Sequence, residues 1–275
     1  MWLKFLLGIC FALMLAGALL IEPARPRSVL GARDRNGATL RLMTWNIGYG
    51  DLEADTRAHT QDLPAVAQVI LSNDPDAVAL QELTGQDQLD LLLRQLKHRY
   101  RGSVSSRGSA DRVAAVLVKD RSAQFNDVSA GDRFAAAATF HLQEKLPQIV
   151  FVSAHADAFN ASRRRTFAAD VVDWARSRGR DQIAFVAGDF NLEVSVRNRS
   201  NLFTDDAKND SESYGYLLKY FRDLGREAGE TSVNDRRIDY VFGPQEAVAL
   251  RKAEVLRGTA IGRMDHWPLL IEIGL

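Results

Sequence analysis

Six short apolar runs, scattered across more than 200 residues, each lead directly into a carboxylate, an amide or an imidazole. They are Leu42–Asn46, Val78–Glu82, Val152–His155, Phe185–Asn191, Ile238–Phe242 with Asp239 at its start, and Met264–Leu269 carrying Asp265 and His266. Burying an ionised group is costly unless it is paired or bound to a cation. One such strand tip is ordinary, but six imply that the tips converge. The converging set holds four carboxylates (Glu82, Asp189, Asp239, Asp265), two amides (Asn46, Asn191) and two histidines (His155, His266). Four negative charges in one place need a cation, and oxygen-rich ligation favours Mg²⁺ or Mn²⁺ over zinc.

The chain between these tips alternates strands and helices. Strands are predicted at Leu40–Asn46, Asp76–Gln81, Val113–Val118, Ala135–Leu142, Ile149–Ser153, Ile183–Ala187, Ile238–Phe242, Ala253–Arg257 and Pro268–Ile273. The short links around Val113–Val118 and Ala135–Leu142 make them expected antiparallel neighbours. Apolar spacing of three and four predicts helices over Leu63–Leu71, Gln88–Leu96, Arg163–Arg178 and Tyr214–Phe221. Many strands with few helices point to an α/β (α+β) protein of stacked sheets flanked by helices, not a simple parallel doubly wound sheet. The polar stretch Asn198–Ser213 reads as a loop. With 275 residues, 46% hydrophobic and 25% charged, the chain can bury a sizeable core. Disorder, collagen and coiled coil are excluded for the whole.

Formal net charge is zero, so no strong basic field draws nucleic acid non-specifically. The single cysteine, Cys10, lies in an N-terminal apolar run, which leaves the body without disulfides, thiolate zinc sites or a thiol nucleophile. That run, Phe5–Ile21, carries no charge and is near the lower length limit for crossing a bilayer. Residues 1–22 are read as a signal peptide or an uncleaved membrane anchor, 23–38 as a linker rich in Arg and Pro, and 39–275 as the catalytic domain. The expected location is outside the cytoplasm, anchored in the inner membrane, periplasmic or extracellular.

The strand-tip residues carry a family resemblance. In order and combination, Leu42–Asn46, Gln81-Glu82, His155, Gly188-Asp189-Phe190-Asn191, Arg237-Ile238-Asp239-Tyr240 and Asp265-His266 resemble the motifs of the endonuclease/exonuclease/phosphatase superfamily, over residues 40–275. The resemblance implies a four-layer α/β/β/α sandwich, two packed mixed β-sheets with helices outside. It also implies metal-dependent hydrolysis of phosphoester bonds. A phosphodiester repels the attacking hydroxide, and its transition state gathers more charge on oxygen, so charge must be neutralised and a water activated. Metal ligation is expected from Asn46, Glu82 and Asp265, with Mg²⁺ or Mn²⁺ acting as a Lewis acid. Asp189 is expected to orient or deprotonate the water, Asn191 to donate to the phosphate, and His155 to donate to the phosphate or leaving group. Asp239 would fix the His266 tautomer, making that pair a general base or a cationic phosphate clamp.

Substrate stays open between a nuclease, a phospholipid- or sphingomyelin-type phosphodiesterase and a phosphomonoesterase, with a non-catalytic binding module as the alternative of a different class. The expected partners are a phosphoester of nucleic acid or lipid headgroup and, through the N-terminal segment, a membrane; the expected state is a monomer. The abasic-endonuclease branch places a carboxylate two residues after the opening Asn. Here Gly48 stands there and Asp51 is the nearest carboxylate, which argues against repair activity. Taken singly, each site residue has an ordinary reading: Asp189 closing a turn, Asn46 forming one, Asp239 pairing with Arg236 or Arg237. His59, His98 and His141 lack a strand-tip context and read as surface or satisfied core residues. Arg163-Arg164-Arg165 reads as a solvated first helical turn, with contact to substrate phosphate as the alternative. Trp45 and Trp267 read as core.

Overall fold

The computed structural model describes residues 37–48, 60–106, 112–178, 182–194, 207–233, 235–246, 248–259 and 261–275. The N-terminal apolar segment and most of the expected linker lie outside these residues, as do Asp51, His59 and the first part of the expected Asn198–Ser213 loop. Among the described residues no helix is long and apolar enough to cross a membrane.

Among the described residues, twelve strands and four helices follow one another as β1 (Thr39–Asn46), α1 (Leu63–Asn73), β2 (Ala77–Leu83), α2 (Gln86–Gln95), β3 (Arg101–Val104), β4 (Val113–Val118), β5 (Gln124–Ala130), β6 (Arg133–Phe140), β7 (Gln148–His155), α3 (Ala161–Arg176), β8 (Gln182–Asp189), α4 (Ala207–Tyr220), β9 (Phe221–Asp223), β10 (Asp239–Pro244), β11 (Ala249–Val255) and β12 (Leu269–Gly274). They form two mixed six-stranded sheets, ordered β11-β12-β1-β2-β4-β3 and β5-β6-β7-β8-β10-β9. Among the described residues only the β1–β2 and β7–β8 pairs are parallel, each joined through a helix (α1 and α3) as a parallel crossover requires.

The period-two alternation of the strands sorts their apolar residues into three layers. Leu40 and Leu42, Ala77 and Ala79, Phe151, Phe185, Val241 and Ile271 fill the space between the sheets. The opposite parity, Met43, Trp45, Val78 and Leu80, packs under α1 and α2 through Leu63, Val66, Ile70, Leu89 and Leu92. On the second sheet Val150, Val152, Val186 and Phe242 pack under α3 and α4 through Phe167, Val171, Val172 and Leu217. The four-layer α/β/β/α sandwich is thus written in the side-chain parity of each strand.

Two expectations need correction. The strands Val113–Val118 and Arg133–Phe140 are not neighbours: β4 belongs to the first sheet, β6 to the second, and β5 lies between them in sequence as the antiparallel partner of β6. The edge strand β5 has a weak apolar signal (Gln-Phe-Asn-Asp-Val-Ser-Ala), because an edge strand buries few of its side chains. The stretch Ala207–Ser213, expected as loop, forms the first turns of α4, where tertiary contacts override its polar composition.

Candidate active site

The same parity that builds the core delivers its polar tips to one place. On β1 the inward positions Leu40, Leu42 and Thr44 continue to Asn46; on β7 Ile149, Phe151 and Ser153 continue to His155; on β8 Phe185 and Ala187 continue to Asp189; on β10 Val241 is preceded by Asp239. Glu82 breaks the rule. After Ala77, Ala79 and Gln81, the residue at 82 should face outward. The β2–β4 register shifts between Leu80 and Leu83, and Glu82 has φ +66°, so a bulge turns its carboxylate back into the cleft.

Asn46 Nδ2 donates to Glu82 Oε1 at 3.1 Å and to Asp189 Oδ2 at 3.0 Å, bridging carboxylates from the two sheets. Its Oδ1 is engaged by the Gly48 amide at 2.9 Å. Asn46, expected as a metal ligand, therefore presents a donor nitrogen to the acidic groups. His155 Nε2 lies 3.6 Å from Glu82 Oε1 and 3.9 Å from Asp189 Oδ2. His266 Nδ1 donates to Asp239 Oδ2 at 2.7 Å, while its Nε2 faces Asp189 Oδ2 at 3.8 Å and Asp265 Oδ1 at 3.9 Å. The Asn191 amide donates to Asp189 Oδ1 at 2.9 Å, and its side-chain nitrogen reaches the Ala156 carbonyl at 3.3 Å. The residues read from the strand tips thus share one cleft, formed from both sheets.

Two further positions at the site take unusual backbone conformations. Gly188 has φ +143°, and a Cβ at that position would lie 1.9 Å from the Ala154 carbonyl oxygen, so only glycine lets β8 run beside β7 up to Asp189. Asn191 occupies the left-handed region at φ +50°, which asparagine tolerates.

Supporting residues escaped the sequence reading. Thr231 Oγ1 donates to Asp239 Oδ2 at 2.7 Å and accepts the amides of Ile238 and Asp239. Trp45, buried as expected, donates from Nε1 to the His266 carbonyl at 3.1 Å. Beneath the cleft, Gln81 Nε2 donates to Ser153 Oγ at 3.0 Å and Ser153 Oγ to the Leu80 carbonyl at 2.9 Å, a polar tie between the sheets. Arg112, just before β4, hydrogen-bonds Glu82 Oε2. Neither Thr231 nor Arg112 carried a sequence signal beyond its residue type, whereas Trp45 and Gln81 belong to runs already quoted. Arg236 and Arg237, the alternative partners considered for Asp239, pair instead with Glu193 and Asp223. Arg164 is fully buried on Asp210, so the triple arginine is not a solvated turn throughout; Arg163 and Arg165 are exposed. His98 and His141 are exposed surface residues.

The electrostatics follow from burial and neighbours. Burial acts to raise the Glu82 carboxyl, but His155, Arg112 and the Asn46 hydrogen bond outweigh it and hold it below the usual range. Burial and the neighbouring Asp239 raise Asp189 despite the two histidines. Burial likewise raises Asp265. Burial would lower the His266 imidazolium, yet Asp239, by charge and hydrogen bond, and then Asp189 and Asp265 push it up to about 10.

A divalent ion fits this donor set. The groups are mostly hard carboxylate oxygens, and Asp239 Oδ1 is buried with no hydrogen-bond partner. One ligand atom each from Asp189, Asp239 and His266 lie within 4.8 Å of one another. Glu82 and Asp265 form a second pair of carboxylates nearer the surface, their side chains 14% and 27% exposed.

The model of the Endonuclease/Exonuclease/phosphatase family matches residues 43–262. No curated protein matches the chain at a significant level. Among solved structures, an endonuclease/exonuclease/phosphatase from Bacteroides vulgatus is similar with TM-score 0.67 at 19% identity, covering 86% of this chain and 99% of that one. A mannosyl-6-phosphatase of Bacteroides thetaiotaomicron gives TM-score 0.67 at 16% identity, covering 86% of this chain and 100% of that one. The human Nocturnin catalytic domain with bound sulfate gives TM-score 0.63 at 19% identity over 86% of this chain and 94% of that one.

Proposed function

This chain belongs to the endonuclease/exonuclease/phosphatase family, and from that premise we propose that it is a Mg²⁺- or Mn²⁺-dependent phosphodiesterase acting on nucleic acid or a phospholipid headgroup. The observation that carries the reading is the meeting of Glu82, His155, Asp189 and the Asp239–His266 pair in one cleft. Glu82 and Asp265 would hold the ion, their side chains being 14% and 27% exposed where Asp239 is fully buried against His266. Asn46 would keep the Glu82 carboxylate in place. When bound, the ion supplies Lewis-acid polarisation of a phosphate oxygen.

The protein's own groups do the rest. Asp189, held by Asn46 and Asn191, orients the attacking water and takes its proton; its raised carboxyl suits that task. Asp239 fixes His266 with Nδ1 inward, so Nε2 is presented to a phosphoryl oxygen. As the water oxygen bonds to phosphorus and the ester bond breaks, His155 delivers a proton to the leaving oxygen. Asn191 donates a side-chain N–H to the phosphate. The apolar segment Phe5–Ile21 supports export and membrane attachment of this domain.

The test is hydrolysis of bis-p-nitrophenyl phosphate with Mg²⁺ or Mn²⁺, followed by plasmid DNA, RNA, sphingomyelin and phosphoinositides. Turnover should vanish on chelation and fall by about 10²–10⁴-fold in His266→Ala, the range for losing a positioned acid–base or charge-stabilising group. Equal turnover by the wild type and a folded Glu82→Ala/His266→Ala variant overturns the proposal.

A further inference from the structure

Arg112 touches this cleft, yet none of the steps above uses it. The residue stands immediately before β4, whose Val113 pairs with Leu83 across the bulge that re-aims Glu82. Its side chain is 11% exposed, and its guanidinium hydrogen-bonds Glu82 Oε2. The other oxygen, Oε1, faces Asn46 Nδ2 at 3.1 Å and His155 Nε2 at 3.6 Å. Gly48 walls the Oε2 edge so closely that a Cβ there would sit 1.9 Å from that atom. A divalent ion approaching Glu82 thus finds one oxygen between Asn46 and His155 and the other covered by a cation. Arginine cannot yield by losing its proton, so it must yield by moving. Its planar fork matches the oxygens of a phosphate, the group the substrate brings to this cleft.

We propose that Arg112 is an exchangeable counter-ion: it neutralises Glu82 while no divalent ion is bound, and passes to the substrate's phosphate once the ion takes over that carboxylate. The proposal rests on the phosphodiesterase reading above and adds a substrate-binding residue to it. Arg112 therefore competes with the metal and cooperates with the substrate, and the two effects have opposite signs.

The experiment titrates Mn²⁺ into the full-length chain, following free Mn²⁺ by electron paramagnetic resonance. In parallel it separates KM from kcat with bis-p-nitrophenyl phosphate, for wild type, Arg112→Gln and Arg112→Lys. Loss of the competing cation should tighten Mn²⁺ binding in Arg112→Gln by about fivefold or more, the low end of linked-site coupling. The same variant should raise KM by about tenfold, the cost of one charge-assisted hydrogen bond. Arg112→Lys keeps the charge and loses the fork, so Mn²⁺ affinity stays within about twofold while KM still rises. Mn²⁺ affinity unchanged or weakened in Arg112→Gln, or KM unmoved, overturns the exchange. If Arg112→Gln does not fold, Arg112→Lys decides: a raised KM at unchanged Mn²⁺ affinity supports the exchange, and an unmoved KM ends it. A wild type that binds no Mn²⁺ and hydrolyses no phosphoester sinks the phosphodiesterase reading itself, whereas normal wild-type behaviour with indifferent variants sinks only the role of Arg112.

Discussion

Asp157 shows how a single carboxylate can hold the loop that leaves a strand tip of the candidate site. It follows His155 by two residues, accepts the Phe159 and Asn160 amides at 2.8 Å each through Oδ1, and takes Arg133 at 2.7 Å on Oδ2. Burial acts to raise its pKa, but the two amides and Arg133 prevail and lower it. The unfolded chain therefore binds a proton at higher pH than the folded one. The stabilisation is complete above the ordinary carboxylate range and is lost as pH falls through the lowered folded value. Asp157→Asn is expected to cost about 1–3 kcal/mol at neutral pH, and the gap to wild type should close on acidification. Urea unfolding of both proteins across that range measures it. Gly188 makes a purely steric case: Gly188→Ala must push the Ala154 carbonyl aside and should cost about 3 kcal/mol or more, seen as a lowered urea midpoint.

Among elements, α3 and α4 are joined by a fully buried ion pair. Arg164 Nε and Nη2 reach Asp210 Oδ1 at 3.0 and 2.8 Å, Nη1 reaches the Asp157 carbonyl at 3.1 Å, and Asp210 Oδ2 accepts the Glu193 amide at 3.1 Å. One ion pair thus ties two helices to the loops after β7 and β8, Arg164 holding the first and Asp210 the second, where they leave the site at His155 and Asp189. Arg164→Met should cost about 3–5 kcal/mol because it strands Asp210, and pairing it with Asp210→Leu should recover a substantial part. Chemical denaturation of the single and double variants decides this; a single variant as stable as wild type would contradict it. The sequence offered three consecutive arginines and no sign of which one turns inward, since helix periodicity assigns a face and not a partner. Similarly, the bulge at Glu82 is invisible in Val-Ala-Leu-Gln-Glu-Leu, an apolar run closed by two polar residues, until the register of β4 is known.

For the whole molecule, strand parity explains why so much was legible. A sandwich with two inner faces makes each apolar run announce its layer, and the polar residue at an inward position marks where that layer opens to solvent. Asn46, His155, Asp189 and Asp239 follow that rule, so their convergence could be read from the polar ends of apolar runs. The edge strands β3 and β5 could not, because they bury too little to leave a pattern, nor could β9, which is only three residues long. Nor could Arg112 or Thr231, whose positions depend on pairings between distant segments. The crowded carboxylates predict a further property of the molecule: a divalent ion should stabilise the fold. At a hundredfold excess over its Kd, Mg²⁺ is expected to add about 2.7 kcal/mol, read as a Tm rise that Glu82→Ala removes. A Tm indifferent to Mg²⁺, Mn²⁺ and chelator would refute the ion site.

The Gln81–Ser153 tie sits directly beneath a cleft whose two walls come from different sheets. On the proposed chemistry neither sheet alone holds all of the groups needed. A half-assembled molecule is then expected to be inert, so that turnover would report the docking of the two halves more sharply than any measure of secondary structure.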